Sequence, residues 1–435
     1  MDPTTIGLIS IGVLISLVLL GVHVGVALSA VSVVSLWIIT GNSQVALSLL
    51  GSTLNYAIKD YVFAVIPLFI LMGSLLTAAD ISDDLFRGLN VILRRVKGGL
   101  VYATIVGNAF FAAVTGSSIA SAATFSKISL GPMYRLGYDK KIALGSVAGT
   151  SVLGMLIPPS TLFILYGILT DESIGKLFIA GIVPGILLTV MFAIGVYIWI
   201  RLRPGLVPDS DEGSYGPSRI KDIFILWPVI LLIAIVLGGI YGGLFTPTEA
   251  GAVGAFGSLT IALTRRRLTP SKLWGALLDT GYTSGSIMIL VICAQLYSRM
   301  LTLSGVINWL QGVLTNLSVA PMVIIGIFIG VALLMGTLID GSSIMLLVIP
   351  IMYPIIKNLG FDPIWFAVVI TVVIEMGLIT PPFGMSVFTV KAVMGDVTTL
   401  EEIFSGSSPF LLMICVLVVL LLIFPGIVTW LPNMM

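Results

Sequence analysis

The sequence predicts an all-α polytopic membrane protein built from two inverted-topology repeats, with about ten transmembrane helices and two re-entrant helical hairpins. Composition is the first ground. Of 435 residues, 58% are apolar and 9% charged, and several stretches of roughly 15 to 20 residues carry no charge, which leaves no room for a soluble domain. A duplicated pair of motifs is the second. Gly116-Ser117-Ser118 precedes Gly154-Met155-Leu156-Ile157-Pro158-Pro159, and Gly341-Ser342-Ser343 precedes Gly377-Leu378-Ile379-Thr380-Pro381-Pro382 at a matching distance. The offsets, 225 and 223 residues, recur between Leu76-Thr77 and Leu301-Thr302, Leu85 and Leu310, and Leu136-Gly137-Tyr138-Asp139 and Leu359-Gly360-Phe361-Asp362. The third is the way the basic residues sort.

Taken in order, the apolar runs give crossings at roughly 6–20, 23–40, 61–79, 143–168, 177–200, 222–238, 249–264, 274–300, 363–390 and 408–430. No positive residue precedes the first run and apolar character continues to Ile39, so this region reads as two crossings rather than a cleaved signal. His23 sits in the tight connection between them, beside Gly21 and Gly25, as a turn or interface residue. Asp80 to Lys97 places Ile81, Leu85, Leu89, Ile92 and Val96 on one face, with acids before bases, and reads as an amphipathic brace at the membrane surface. Residues 100–130 and 321–356 carry Gly-Ser-Ser near their middle and fit re-entrant hairpins. Residues 1–200 form the first repeat, the Pro- and Gly-containing stretch 201–221 the linker, and 222–435 the second repeat. Thr246-Pro247-Thr248-Glu249 has the spacing of a capping box, and Arg265 to Arg267 reads as a topology anchor. Cys293 and Cys415 lie in apolar segments and support neither a disulfide framework nor a metal site.

With each hairpin entering and leaving on one side, seventeen Lys and Arg residues share a side, among them Arg87, Arg135, Arg219, Lys221 and Lys272. Only Lys59, Lys176, Arg299 and Lys357 lie opposite. Positive charge marks the cytoplasmic side, so both termini lie outside the cytoplasm. Each half then holds an odd number of crossings and the halves enter the membrane in opposite senses. Hairpin 1 opens from the cytoplasm, hairpin 2 from outside, and their tips meet near the midplane. This symmetry is the physical basis of alternating access, which a channel does not need.

Backbone that leaves the helix inside a membrane persists only where protein buries it or a polar cavity wets it. A Gly-Ser-Ser tip supplies free amides, free carbonyls and small hydroxyls; amides attract carboxylates, while carbonyls and hydroxyls suit a hard cation such as sodium. Close helix packing is the simpler use of Gly and Ser, but two copies opposite two broken helices favour a site. Pro159 and Pro382 lack an N–H and push the preceding residue out of helical geometry, so both helices break and free several carbonyls. Asp340 and Glu375 distinguish the halves, standing where the first motif pair has Thr115 and Val152. A charge at the bilayer centre costs at least about 2.5 to 3.5 kcal/mol, so neither stands there unpaired. Contact with a cation, contact with a polar group of the cargo, and a helix-end hydrogen bond all fit both.

Residues 149–185 (GTSVLGMLIPPSTLFILYGILTDESIGKLFIAGIVPG), 115–124 (TGSSIASAAT) and 238–251 (GGIYGGLFTPTEAG) resemble the large membrane subunit of tripartite ATP-independent periplasmic (TRAP) transporters, DctM type, and the resemblance covers essentially the whole chain. It implies a multi-pass protein of the bacterial inner membrane that imports an organic acid such as a C4-dicarboxylate or sialic acid. The architecture implied is of elevator type, related to the divalent-anion/sodium symporters, and driven by at least two sodium ions. A small four-helix membrane subunit and a soluble periplasmic substrate-binding protein are the implied partners; the chain opens on its first crossing, so the small subunit is expected to be separate. The implied first sodium site uses Gly116, Ser117 and Ser118 with Gly154, Met155 and Ile157. The second uses Asp340, Gly341 and Ser342 with Met376, Gly377, Ile379 and Thr380. Substrate would lie between the tips, near Ser117, Ser118, Ser160, Asp340, Ser342, Ser343 and Thr380. The binding protein would dock on outer segments 241–245, 303–318 and 357–362.

The competing expectation is a stand-alone sodium/divalent-anion symporter that needs no binding protein. An intramembrane enzyme finds no support, since the sequence has no His-Glu-x-x-His, no Gly-x-Ser-x-Gly and a single histidine. Nothing in the charge pattern suggests a nucleic-acid partner.

Overall fold

The computed structural model describes residues 2–208, 226–316 and 320–435, and every regular element among them is helical. Most of the linker 201–221, with Arg219 and Lys221, lies outside the described residues, as do positions 317 and 318 of the docking segment 303–318 and the first residues of the crossing at 222–238.

The first half opens with α1 (Pro3–Leu19) and α2 (Val24–Thr40), joined through Gly21 at φ +84°, with His23 at the N-cap position of α2. No crossing is expected from the sequence over 41–60, yet the chain forms α3 (Ser43–Lys59) there. The Asn42 side chain caps it by accepting from Gln44 N at 2.9 Å. A 3-10 turn at Tyr61–Ala64, capped by Asp60, leads into α4 (Val65–Ala78). The surface helix α5 (Ile81–Leu93) is shorter than the expected brace. It buries Ile81, Leu85 and Leu89, but Ile92 in its last turn is 49% exposed, and Val96 is 45% exposed because the helix stops at Leu93 and Val96 has left its face. Hairpin 1 is α6 (Gly99–Thr115) and α7 (Ser118–Arg135). The first broken helix follows as α8 (Lys140–Thr150), the single turn α9 (Leu153–Leu156) and α10 (Thr161–Thr170), and α11 (Ile174–Leu202) closes the half.

The second half repeats this order with variations. It runs α12 (Trp227–Tyr241), α13 (Pro247–Thr264), the 35-residue α14 (Pro270–Ser304) and α15 (Val306–Asn316). Hairpin 2 is α16 (Pro321–Gly336) and α17 (Gly341–Asn358), the second broken helix is α18 (Pro363–Gly377) and α19 (Met385–Met394), and α20 (Leu400–Ile423) and α21 (Gly426–Thr429) end the chain. The expected capping box at Thr246 forms, with Thr246 N donating to Glu249 at 2.8 Å and Glu249 N donating to Thr246 Oγ1 at 3.3 Å. A second box, Thr399 with Glu402, starts α20 eight residues before the crossing expected at 408; its charged first turn reads as a loop when only hydropathy is followed. The triple arginine does more than set topology. Arg265 and Arg267 reach the buried Asp84 carboxylate at 2.8 and 3.0 Å, tying α13 to α5.

Among the described residues, six helical runs are both long and apolar enough to cross a membrane: Tyr61–Ala78, Lys140–Thr170, Ile174–Leu202, Pro270–Ser304, Gly341–Asn358 and Leu400–Ile423. Six shorter apolar helices, α1, α2, α6, α12, α16 and α18, accompany them. At 1.5 Å rise per residue, helices of 15 to 17 residues reach about 22 to 26 Å, a little short of a hydrocarbon core of about 30 Å. The chain is thus a multi-pass membrane protein by its helices.

Packing divides these helices into two groups. α1 to α4 pack on α14, α4 also on α13, and α12 lies on α13, while the hairpins and broken helices pack with α11 and α20; the groups meet where α14 lies on α17 and α4 on α6. Within the second group the halves interlock: α10 lies on α17 of hairpin 2, α19 on α7 of hairpin 1, and α8 on α20. Each half therefore completes the core of the other.

Candidate functional site

The tip of hairpin 1 is a two-residue turn, Gly116 and Ser117. α6 ends where Gly116 takes φ +59°, a left-handed conformation that favours glycine. Ser117 is the N-cap of α7, its hydroxyl accepting from Ala120 N at 3.3 Å. The first break holds this tip directly. Thr161 Oγ1 donates to the Gly116 carbonyl at 3.0 Å, and Gly154 lies so close that a Cβ there would stand 2.7 Å from the backbone of Ser117 and Ser118. Glycine at 154 is a condition of the contact.

Hairpin 2 is turned differently. After α16 the chain passes through Thr337, Leu338 and Ile339 to Asp340, the N-cap of α17. Asp340 accepts from Ser343 N at 3.0 Å and from Ser343 Oγ at 2.5 Å. This corrects the alignment drawn from the two Gly-Ser-Ser motifs. The capping residues Ser117 and Asp340 are equivalent, so Asp340 matches Ser117 rather than Thr115, and Ser118 matches Gly341. The motif is the tip itself in hairpin 1 but the first turn of α17 in hairpin 2. The physical reason is that a helix start is fixed by its capping oxygen, which Ser and Asp supply equally well. Gly377 of the second break packs on Gly336 of α16, where a Cβ would stand 2.5 Å from the Gly336 Cα.

A cavity of about 770 Å³ lies between the tips and the first group of helices. Ser117 and Ala120 of hairpin 1, Asp340, Gly341 and Ser342 of hairpin 2, and Met155 and Leu378 of the breaks form one wall. The opposite wall is α4 with Ser74 and Thr77, and α14 with Asp279, Thr283 and Ser286. From the tips the cavity extends to Lys272 in the first turn of α14, which pairs with Asp80 at 2.7 Å. The sequence reading missed this second wall. Asp279, whose carboxylate accepts from Ser74 Oγ at 2.6 Å, was nonetheless visible as an acid inside an expected crossing, which is by itself a functional signal.

Of the residues singled out from sequence, Ser117, Met155, Asp340, Gly341 and Ser342 share this cavity. Four hydroxyls are turned instead into the protein. Ser160 donates to the Met155 carbonyl, Thr380 to the Met376 carbonyl at 2.7 Å, Ser343 to Asp340, and Ser118 to Glu375 Oε2 at 2.5 Å. Gly154, Ile157, Gly377 and Ile379 offer only backbone. Glu375 is 1% exposed and does not line the cavity; of its open roles, the structure places it in a hydrogen bond between hairpin 1 and the second break. Among the described residues no three His, Cys, Asp or Glu side chains converge as metal ligands. Apart from the Glu375 carboxyl, the oxygens at the breaks are hydroxyls and carbonyls, a hard and neutral donor set whose carbonyls keep a second lone pair when one hydrogen bond is accepted.

Comparison with known proteins adds the following. The family model described as "Tripartite ATP-independent periplasmic transporter, DctM component" matches residues 11–427. The C4-dicarboxylate TRAP transporter large permease protein DctM of Pseudomonas aeruginosa is 32% identical over 376 residues, covering 86% of this chain and 87% of that one. The ectoine TRAP transporter large permease protein TeaC of Halomonas elongata is 29% identical, covering 98% and 99%. The sialic acid TRAP transporter permease protein SiaT of Haemophilus influenzae is 28% identical, covering 88% of this chain and 61% of that one. Among solved structures, the YdaH transporter of Alcanivorax borkumensis superposes with a TM-score of 0.61 at 16% identity, covering 86% and 89%, which shows a shared fold.

Proposed function

The chain belongs to the DctM component family of tripartite ATP-independent periplasmic transporters, and on that premise we propose that it imports an organic acid in symport with sodium. The relatives named above handle C4-dicarboxylates, sialic acid and ectoine, which sets the range of cargo. A soluble periplasmic binding protein delivers the acid, a small membrane subunit packs on the first group of helices, and the membrane is the bacterial inner membrane.

One observation carries the reading: both hairpin tips face the same cavity, and its other wall belongs to a different packing group. Cargo held at the tips therefore rides with the hairpins. An elevator movement slides the hairpin group against α4 and α14, exposing the cavity first to one side and then to the other. The cavity reaches Lys272, at the end of the molecule rich in Arg and Lys, so by the positive-inside rule this is the inward-facing position. The interlocking of α10 with hairpin 2 and α19 with hairpin 1 supports inverted repeats that move as one body.

Sodium fits the donor set. Hydroxyl and carbonyl oxygens at the tips and breaks replace its hydration, while the amides at the start of α7 favour the carboxylate of the acid. The test is uptake of radiolabelled acid by proteoliposomes holding this chain and its membrane partner, with binding protein outside and sodium replaced by choline. Sodium-dependent uptake is expected; unchanged uptake in choline refutes the coupling.

A further inference from the structure

We propose that the hydrogen bond from Ser118 to Glu375 couples the two breaks, so that sodium bound at one raises the affinity of the other. This rests on the two-site sodium reading above.

The bond joins groups distant in sequence and wholly inside the protein. Ser118 is 0% and Glu375 1% exposed, and the hydroxyl donates to Glu375 Oε2 at 2.5 Å. The other carboxyl oxygen, Oε1, is buried without a hydrogen-bond partner among the described residues, so the Ser118 hydroxyl is the polar tie described for this side chain. A polar contact in so dry a place is strong and sharply dependent on geometry.

Each end of the bond is fixed to a seam that cannot flex freely. Ser118 begins α7, and the backbone at Ser117 and Ser118 is in contact with Gly154 of the first break. Glu375 immediately precedes Met376 and Gly377, and Gly377 is in backbone contact with Gly336 of hairpin 2. A shift of the first seam when an ion binds is thereby passed to the second, and reciprocity requires the reverse. The link is made once. At the equivalent positions the other half has Gly341 and Val152, neither able to form it.

Glu375 is a positioning residue on this account, and cooperativity is the readout that a merely structural role would not move. The full chain in lipid nanodiscs is titrated with sodium at constant ionic strength, choline making up the balance, while intrinsic tryptophan fluorescence is followed. The wild type is expected to bind with a Hill coefficient above one. In Glu375→Val the coefficient is expected to fall to one with sodium still bound, and Glu375→Gln, which keeps an acceptor for Ser118, is expected to retain it. Glu375→Met, closer to glutamate in volume, removes the acceptor in the same way and serves where Glu375→Val fails to fold. Wild-type cooperativity in both Glu375→Val and Glu375→Met overturns the link, as does a wild-type coefficient of one, while leaving sodium binding intact. No sodium response in the wild type overturns the two-site reading and the link with it.

Discussion

Gly154→Ala tests the seam between hairpin 1 and the first break. The added Cβ would lie 2.7 Å from the carbonyl carbon and oxygen of Ser117 and the amide nitrogen of Ser118. All three are backbone atoms, so no side-chain rotation relieves the clash. Restoring even a tight contact of about 3.4 Å parts the seam by about 0.7 Å, because carbon contacts are comfortable only near 3.5 to 4.0 Å. Overpacking of this size costs about 1 to 3 kcal/mol, which is about 5- to 150-fold in the population of the closed seam. If the ion sits where the tip meets the break, its half-saturation concentration rises by that factor. Gly131→Ala is the matched control, since nothing stands within 4 Å of a Cβ there although it lies on the same helix, α7. The assay is sodium-dependent uptake as a function of sodium concentration, with expression and melting temperature measured alongside. Wild-type sodium affinity and rate in Gly154→Ala would show that the seam has no part in ion binding.

Asp84→Asn is expected to lower stability by about 1 to 3 kcal/mol, because charge-assisted hydrogen bonds from Arg265 and Arg267 are weakened at a buried acceptor; an unchanged melting temperature in detergent counts against it. Asp340→Ala removes the cap of α17 and is expected to destabilise by about 0.5 to 2 kcal/mol, whereas Asp340→Asn keeps an acceptor for Ser343 N and is expected to fold normally while transporting poorly, as uptake by equal amounts of protein will tell. Ser29→Ala is expected to be silent in uptake, since the half-buried hydroxyl bonds to the carbonyl of Val26 in its own helix and to the Cys293 thiol, and neither of these residues lines the cavity. Uptake of a monocarboxylate with two sodium ions is expected to be electrogenic, the one uncompensated charge contributing about 2.3 kcal/mol per 100 mV, so an inside-negative potassium diffusion potential accelerates it; a dicarboxylate would just balance two ions, so it is indifference to potential with a monocarboxylate that contradicts the two-ion reading.

The duplicated Gly-Ser-Ser and Pro-Pro motifs made the turns between α6 and α7 and between α16 and α17, and the interruptions before α10 and α19, legible in the sequence, because glycine, serine and proline act on the backbone locally. What the motifs did not fix was register. The Gly-Ser-Ser copies align at 225 residues, but the caps Ser117 and Asp340 and the packing glycines Gly154 and Gly377 are 223 apart, and it is capping and packing that the fold obeys. α3 escaped notice because Ser, Thr and Asn dilute its hydropathy. The cavity wall formed by Ser74 and Asp279 depends on two helices from different halves meeting in space, and no local pattern announces that. Ser118 is the sharper case: its motif pointed to the site, while only the structure turns its hydroxyl away from the cavity and into Glu375.

The central claim is that this chain moves an acid only as part of a tripartite, sodium-driven importer. It is tested most directly by reconstituting the chain in liposomes under an inward sodium gradient, with its small membrane subunit and binding protein present or omitted one at a time, and measuring initial uptake of free and protein-bound acid. Uptake that needs sodium and both partners is the predicted result. Full-rate uptake of free acid by this chain alone would contradict it and leave a stand-alone symporter in its place.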